Sequence, residues 1–166
     1  YSSPAVALEQ CNKIIISMGQ SAQSNLKMVN AAIVDQTPPR LETFKDTESF
    51  LDRAEARLNS YMLGIKEDEL SENSRKAYSE MLHSIGDFER VGDYAENLLE
   101  FYEDMQELIH TFHPDEMAVE ELFFNTNLTT GISVAHGRGV ILLAAEQLGV
   151  PIFEYTPMQV KLAVTG

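Results

Sequence analysis

His83-Ser-Ile-Gly-Asp-Phe-Glu-Arg-Val-Gly-Asp-Tyr-Ala-Glu-Asn97 is the stretch on which the fold turns. Ile85, Phe88, Gly92 and Ala95 follow one another at steps of three and four, as Met81 does before them and Leu99 and Tyr102 after them. That spacing puts them on one face of an α-helix, the seam by which a helix joins a bundle. Beside the seam stand Glu89 and Asp93, four residues apart and therefore one turn apart on the same flank. Two adjacent carboxylates repel each other, so the pair suits a cation and costs stability without one. Gly92, on the seam beside them, lets another helix or a ligand shell come close.

Working outward, Leu8, Cys11, Ile15, Met18, Ala22, Leu26, Val29 and Ile33 repeat at steps of three and four and predict a helix from Ala5 to Ile33. Pro38-Pro39 ends that pattern. A second helix is expected from Asp46 or Thr47 to about Gly64, with Phe50, Leu51, Ala54, Leu58 and Tyr61 facing inward. Ser71 reads as the N-cap of a third helix that runs through the quoted stretch to about Phe112. Long helices with short connections predict a mainly α fold, an antiparallel three-helix bundle over residues 1–105. The second helix carries its own carboxylate pair, Glu48 and Asp52, with Glu55 a turn further on. If helices two and three pack antiparallel, Glu48, Asp52, Glu89 and Asp93 face one another as oxygen ligands for a hard or borderline cation.

The 166 residues are 44% hydrophobic and carry a formal net charge of −14, with 26 acidic residues. Such a field disfavours nucleic acid and anionic membranes and favours cations or basic partners. One cysteine, Cys11, excludes an internal disulfide; on an apolar stripe it reads as a buried thiol in a reducing cytoplasm. No apolar run reaches the roughly 18–20 residues of a membrane span, and no signal peptide is visible. The first residue is Tyr1 rather than Met, as in an excised or partial product.

The motif Asp87-Phe-Glu-Arg-Val-Gly-Asp93 with Asn97, together with Ser3-Pro-Ala-Val-Ala-Leu-Glu-Gln10 and Leu70-Ser-Glu-Asn73, resembles the PhoU domain. The likeness, over about residues 1–100, is to the PhoU-like domain of bacterial sodium/phosphate cotransporter proteins. It implies a three-helix bundle with a regulatory part in phosphate transport, and iron or zinc bound through Glu48, Asp52, Glu89 and Asp93. It also implies as partner a membrane transporter portion or another phosphate-regulatory protein, a cytoplasmic setting, and room for homo-oligomers.

From about Leu108 the texture changes. Met117 to Phe124 mixes apolar and acidic residues as a short strand does, and Val150-Pro-Ile-Phe-Glu-Tyr155 reads as a second strand. Between them Asn127 is expected to cap a helix ending at Leu148 and closed by Gly149; a last helix is expected over Met158 to Val164. This β-α-β order over residues 106–166 predicts parallel strands. Pro114-Asp-Glu-Met-Ala-Val-Glu-Glu-Leu-Phe-Phe124, His136-Gly-Arg-Gly139, Pro151-Ile-Phe-Glu-Tyr155 and Gln159-Val-Lys161 are similar to the middle of RuvC, the Holliday-junction resolvase. The resemblance implies part of an RNase H-like fold and a magnesium-dependent nuclease. In it Glu120 and Lys161 are catalytic, Glu120 as a metal-binding acid, and Phe123 contacts nucleic acid.

Three further acids of that family's site have no counterpart in this sequence, and the segment from residue 108 sets six acidic residues against Arg138 and Lys161. Both observations argue against nuclease activity. His110, His113 and His136 lack metal-ligand spacing, and Gly137-Arg-Gly139 lacks the pattern of a phosphate loop. The sequence is therefore expected to be a regulatory, metal-binding PhoU-like module fused to a catalytically incomplete resolvase fragment, a chimera joined near Ala95 to Tyr102. The alternative is a crossover junction endodeoxyribonuclease.

Overall fold

The computed structural model describes residues 4–122 and 128–166, and of residues 128–133 the backbone only. The chain is mainly helical with one small parallel sheet, in the order α1 (Pro4–Val34), α2 (Leu41–Met62), α3 (Glu72–Phe112), β1 (Met117–Glu120), α4 (Leu128–Gln147), β2 (Ile152–Tyr155) and α5 (Pro157–Thr165). A single 3-10 turn, Glu67–Glu69, lies between α2 and α3. The chain divides into two compact units, residues 1–97 and 98–166.

In the first unit Leu8, Cys11, Ile15, Met18 and Ala22 of α1 share a core with Leu51, Ala54, Leu58 and Met62 of α2. Leu70, Tyr78 and Ile85 complete it from α3 and its approach. Two approaches depend on glycine: the ring of Phe88 lies 3.0 Å from where a Cβ on Gly19 would stand, and Leu51 Cδ1 lies 2.6 Å from a Cβ on Gly92. Tyr78 closes the α2–α3 connection by donating its hydroxyl to the Met62 carbonyl at 3.1 Å.

The α1 stripe departs from expectation at one position. Leu26 is 40% exposed, and Asn25 is the buried residue, at 0%. Steps of three and four both continue the pattern from Ala22, and the polar side chain takes the inward place because α2 offers it partners. Helix α2 begins at Leu41, five residues before the expected Asp46, and Arg40 provides no side-chain cap. The early start is held by packing instead, since Phe44 is buried and its amide bonds to the Arg40 carbonyl at 2.9 Å. Tyr61, expected inward, is exposed, and Met62 fills the core. Ser71 does cap α3, accepting from the Ser74 amide at 3.2 Å.

In the second unit β1 and β2 pair in parallel, Met117 beside Ile152 through Glu120 beside Tyr155. Ile109, Ala145 and Val150 form its core, with Met105, Met117, Leu148 and Ile152 packed against them. Gly149 takes φ +73°, a left-handed conformation that ends α4 and turns the chain into β2. Tyr102 donates to Gln147 Oε1 at 2.6 Å and ties α3 to α4. Helix α5 opens with a capping box: Thr156 Oγ1 accepts from the Gln159 amide, and the Gln159 side chain accepts from the Thr156 amide. The first strand, expected to reach Phe124, ends at Glu120 with Glu121 and Leu122 beyond it, and the second starts at Ile152 rather than Val150. Phe123, Phe124 and the expected cap Asn127 lie outside the described residues.

Candidate functional site

Unit one carries an acidic face between α2 and α3. Glu48 is buried, 5% exposed, because the α2 stripe that buries Phe44, Leu51, Ala54 and Leu58 passes through position 48. Asp52 is one turn along α2, and Asp93 reaches toward both from α3. One carboxylate oxygen from each of Glu48, Asp52 and Asp93 lies within 4.8 Å of the others. Gly92 permits this approach, since a Cβ there would stand 3.1 Å from both Glu48 oxygens. Asn25 Nδ2 donates to Glu48 Oε2 at 3.2 Å from α1. Asn25 Oδ1 and Glu48 Oε1 are buried without a hydrogen-bond partner.

Burial, with Glu96, Asp52 and Asp93 adding repulsion, pushes the Glu48 carboxyl up to about 7, against the opposing bond from Asn25. Glu89 does not join the group of three. It lies close enough that burial, and then Asp93 and Glu55, push its carboxyl upward too. A carboxylate-only donor set with an orphaned buried oxygen fits a hard cation. Carboxylate spacing gives no sign of Asn25, and the apolar stripe runs as well through Leu26, so nothing in the sequence marks the amide as buried.

In unit two Glu120 ends β1 and is exposed; Tyr155, its partner in register, ends β2. Lys161 is exposed on α5, and Phe123 lies outside the described residues. Arg138 forms an ion pair with Glu154 on β2, so its charge is already matched within the unit. Among the described residues Glu120 belongs to no group of three potential ligands. One carboxylate does not fit a pair of magnesium ions. Among the described residues no helix is long and apolar enough to cross a membrane.

The two units thus define an acidic helical domain and a parallel β-α-β module with an acid at the carboxyl end of its first strand. The PhoU domain model matches residues 15–102 and the model "Crossover junction endodeoxyribonuclease RuvC" matches residues 77–166, each just over half of the chain. The chain belongs to the RuvC family through residues 77–166 and to the PhoU domain family through residues 15–102.

Curated relatives bear the RuvC name. The chain is 62% identical over 69 residues to the crossover junction endodeoxyribonuclease RuvC of Brevibacillus brevis, covering 42% of each chain. It is 42% identical over 93 residues to that of Pseudothermotoga lettingae, covering 56% of this chain and 57% of the relative. It is 62% identical over 60 residues to that of Rubrobacter xylanophilus, covering 36% and 34%. The chain spans about half the length of the curated relatives it matches, or less. No solved structure matches it.

These relatives overturn the expectation of a phosphate-transport regulator. That expectation gave the acidic bundle more weight than the α/β unit, and it set three missing acids and the acidic balance from residue 108 onward against a nuclease. The RuvC family model nevertheless matches residues 77–166, which include the unit that this argument had discounted. The two family matches share residues 77–102, all within α3.

Proposed function

We propose that the chain acts as a RuvC-like crossover junction endodeoxyribonuclease, with Glu120 as one of its metal-binding acids. The observation that supports this most is the 62% identity over 69 residues to a resolvase. The geometry of unit two agrees with it. In open α/β sheets ligands bind beyond the carboxyl ends of the strands. Glu120 and Tyr155 stand at that edge, and α5, which carries Lys161, starts just after it. In this reading Lys161 meets a backbone phosphate as a point charge. Phe123 contacts the nucleic acid, and Glu120 supplies a single magnesium ligand. No hydrolytic step is assigned to the described residues alone, because two-metal chemistry takes more carboxylates than Glu120 offers.

The proposal extends to the first unit. We take it as an antiparallel three-helix bundle over residues 1–97, eight residues shorter than the expected 1–105, with α3 running on into the second unit. Glu48, Asp52 and Asp93, with Glu89 alongside, are its candidate ligands for a hard divalent cation; their all-oxygen chemistry favours magnesium over the iron or zinc first expected. The substrate partner is a four-way DNA junction, and the setting is the cytoplasm.

The test is cleavage of a labelled four-way junction in magnesium by the full chain. Cleavage that Glu120→Gln abolishes supports the reading. No cleavage at micromolar protein with magnesium or manganese, or cleavage undiminished in Glu120→Gln, overturns it.

A further inference from the structure

A groove between α1 and α2 of unit one, away from the acidic face, has a volume of about 620 Å³. That falls within the range of small-molecule sites, about 300–1,000 Å³. Its walls are apolar, with Ile14 at 42% and Tyr61 at 52% exposure beside Phe50 and Leu58. Arg53, Arg57 and Gln10 also line it.

Those two arginines are hard to explain within the unit. They sit four residues apart on one helix, so their like charges repel. The positions three and four residues either side of them hold Ser49, Phe50, Ala54, Ala56, Ser60 and Tyr61, and no acid. Arg53 bonds to a neutral atom, Ser49 Oγ, at 2.5 Å. Arg57 has no hydrogen bond or ion pair among the described residues. In a chain with 26 acidic residues, a pair of cations left unneutralised beside an apolar groove is complementary to an anion with an apolar body.

The geometry points to a binding site for a long-chain carboxylate, its chain laid along Ile14, Phe50 and Tyr61 and its head held by Arg53 and Arg57. A simple inorganic anion leaves the apolar walls in water, and a neutral chain leaves the arginines unmatched. Neither uses the whole groove. The inference is independent of Glu120 and of nuclease activity.

Dodecanoate is the probe, titrated calorimetrically into the full chain below its micelle concentration, with dodecanol and acetate as comparisons. Saturable one-to-one binding of dodecanoate is expected, at least tenfold tighter than dodecanol, with none for acetate. Arg53→Gln with Arg57→Gln lowers dodecanoate affinity tenfold or more, and Ile14→Asp abolishes it. All three side chains are exposed, and unchanged helicity and melting temperature confirm that the variants are folded. Three results overturn the proposal: no dodecanoate binding, affinity unchanged in the arginine variant, or dodecanol bound as tightly as dodecanoate. Light scattering that shows a dimer dispersed by Ile14→Asp also overturns it, since the groove is then an interface between copies.

Discussion

Asn25 donates a hydrogen bond to Glu48 across 3.2 Å, joining α1 to α2 inside the core of the first unit. The bond satisfies half of each group and leaves Asn25 Oδ1 and Glu48 Oε1 unmatched. An unmatched buried polar atom costs about 1–3 kcal/mol, more when charged, so the pair holds a stored cost that protonation or a cation relieves.

Protonation comes first. The Glu48 carboxyl titrates near its ordinary value, 4.5, in the unfolded chain and at about 7 in the folded one. Between those values the folded state holds a proton that the unfolded state has released, so stability falls as pH rises from about 4.5 through about 7. Glu89, raised as well, acts in the same direction. In EDTA, Glu48→Gln is expected to raise the melting temperature at pH 8 by several degrees and to do little at pH 5. Calorimetric scans at the two pH values check this, and an equal shift at both contradicts it.

A cation offers the second relief. Magnesium at millimolar concentration is expected to raise the melting temperature at pH 8, where the carboxylates are ionised, by RT ln(1 + [L]/Kd) expressed as degrees. The shift should shrink at pH 5, and Asp93→Asn should remove it, since Asp93 is the α3 oxygen in the group of three. A magnesium shift that survives Asp93→Asn places the ion elsewhere.

Gly92 carries the close approach on which that face depends. Alanine there puts a Cβ 2.6 Å from Leu51 Cδ1 and 3.1 Å from both Glu48 oxygens. Leu51 is fully buried and has little room to move. Gly92→Ala is expected to cost about 1–3 kcal/mol, the usual range for overpacking, despite the better helix propensity of alanine. Denaturant unfolding measures it, and a neutral or stabilising result shows that α2 and α3 adjust freely.

What could be read from the sequence follows from what each element rests on. Helix α3 was legible to within a residue because its cap, Ser71, and its seam are local features. The turn at Gly149 was legible for the same reason, and the two strands in place though not in length, since β1 stops at Glu120 and β2 starts at Ile152. The start of α2 was not, because Phe44 holds it by packing and no side chain marks it. Asn25 was missed because burying an amide makes sense only when Glu48 and the Phe44 carbonyl stand opposite, as tertiary structure alone reveals. The acidic pairs were visible, but spacing gave no sign that Glu89 stands outside the group of three. Function was misjudged where three missing acids and a local excess of acidic residues outweighed the resemblance of the second unit to a resolvase.

Charge nevertheless makes a prediction for DNA. Of the basic pair in the second unit, Arg138 is matched by Glu154, whereas Lys161 is exposed and without an ion pair among the described residues. Junction binding by the full chain should therefore rest on few phosphate contacts and show a shallow salt dependence. Each contact contributes about 0.9 to the slope of log K against log salt. Lys161→Ala is expected to weaken binding to every junction sequence alike and to lower that slope by about 1, leaving sequence preference unchanged. Titrations of a labelled junction in calcium, from low to moderate salt, supply the slope. If it is the same with and without the lysine, Lys161 does not meet a phosphate.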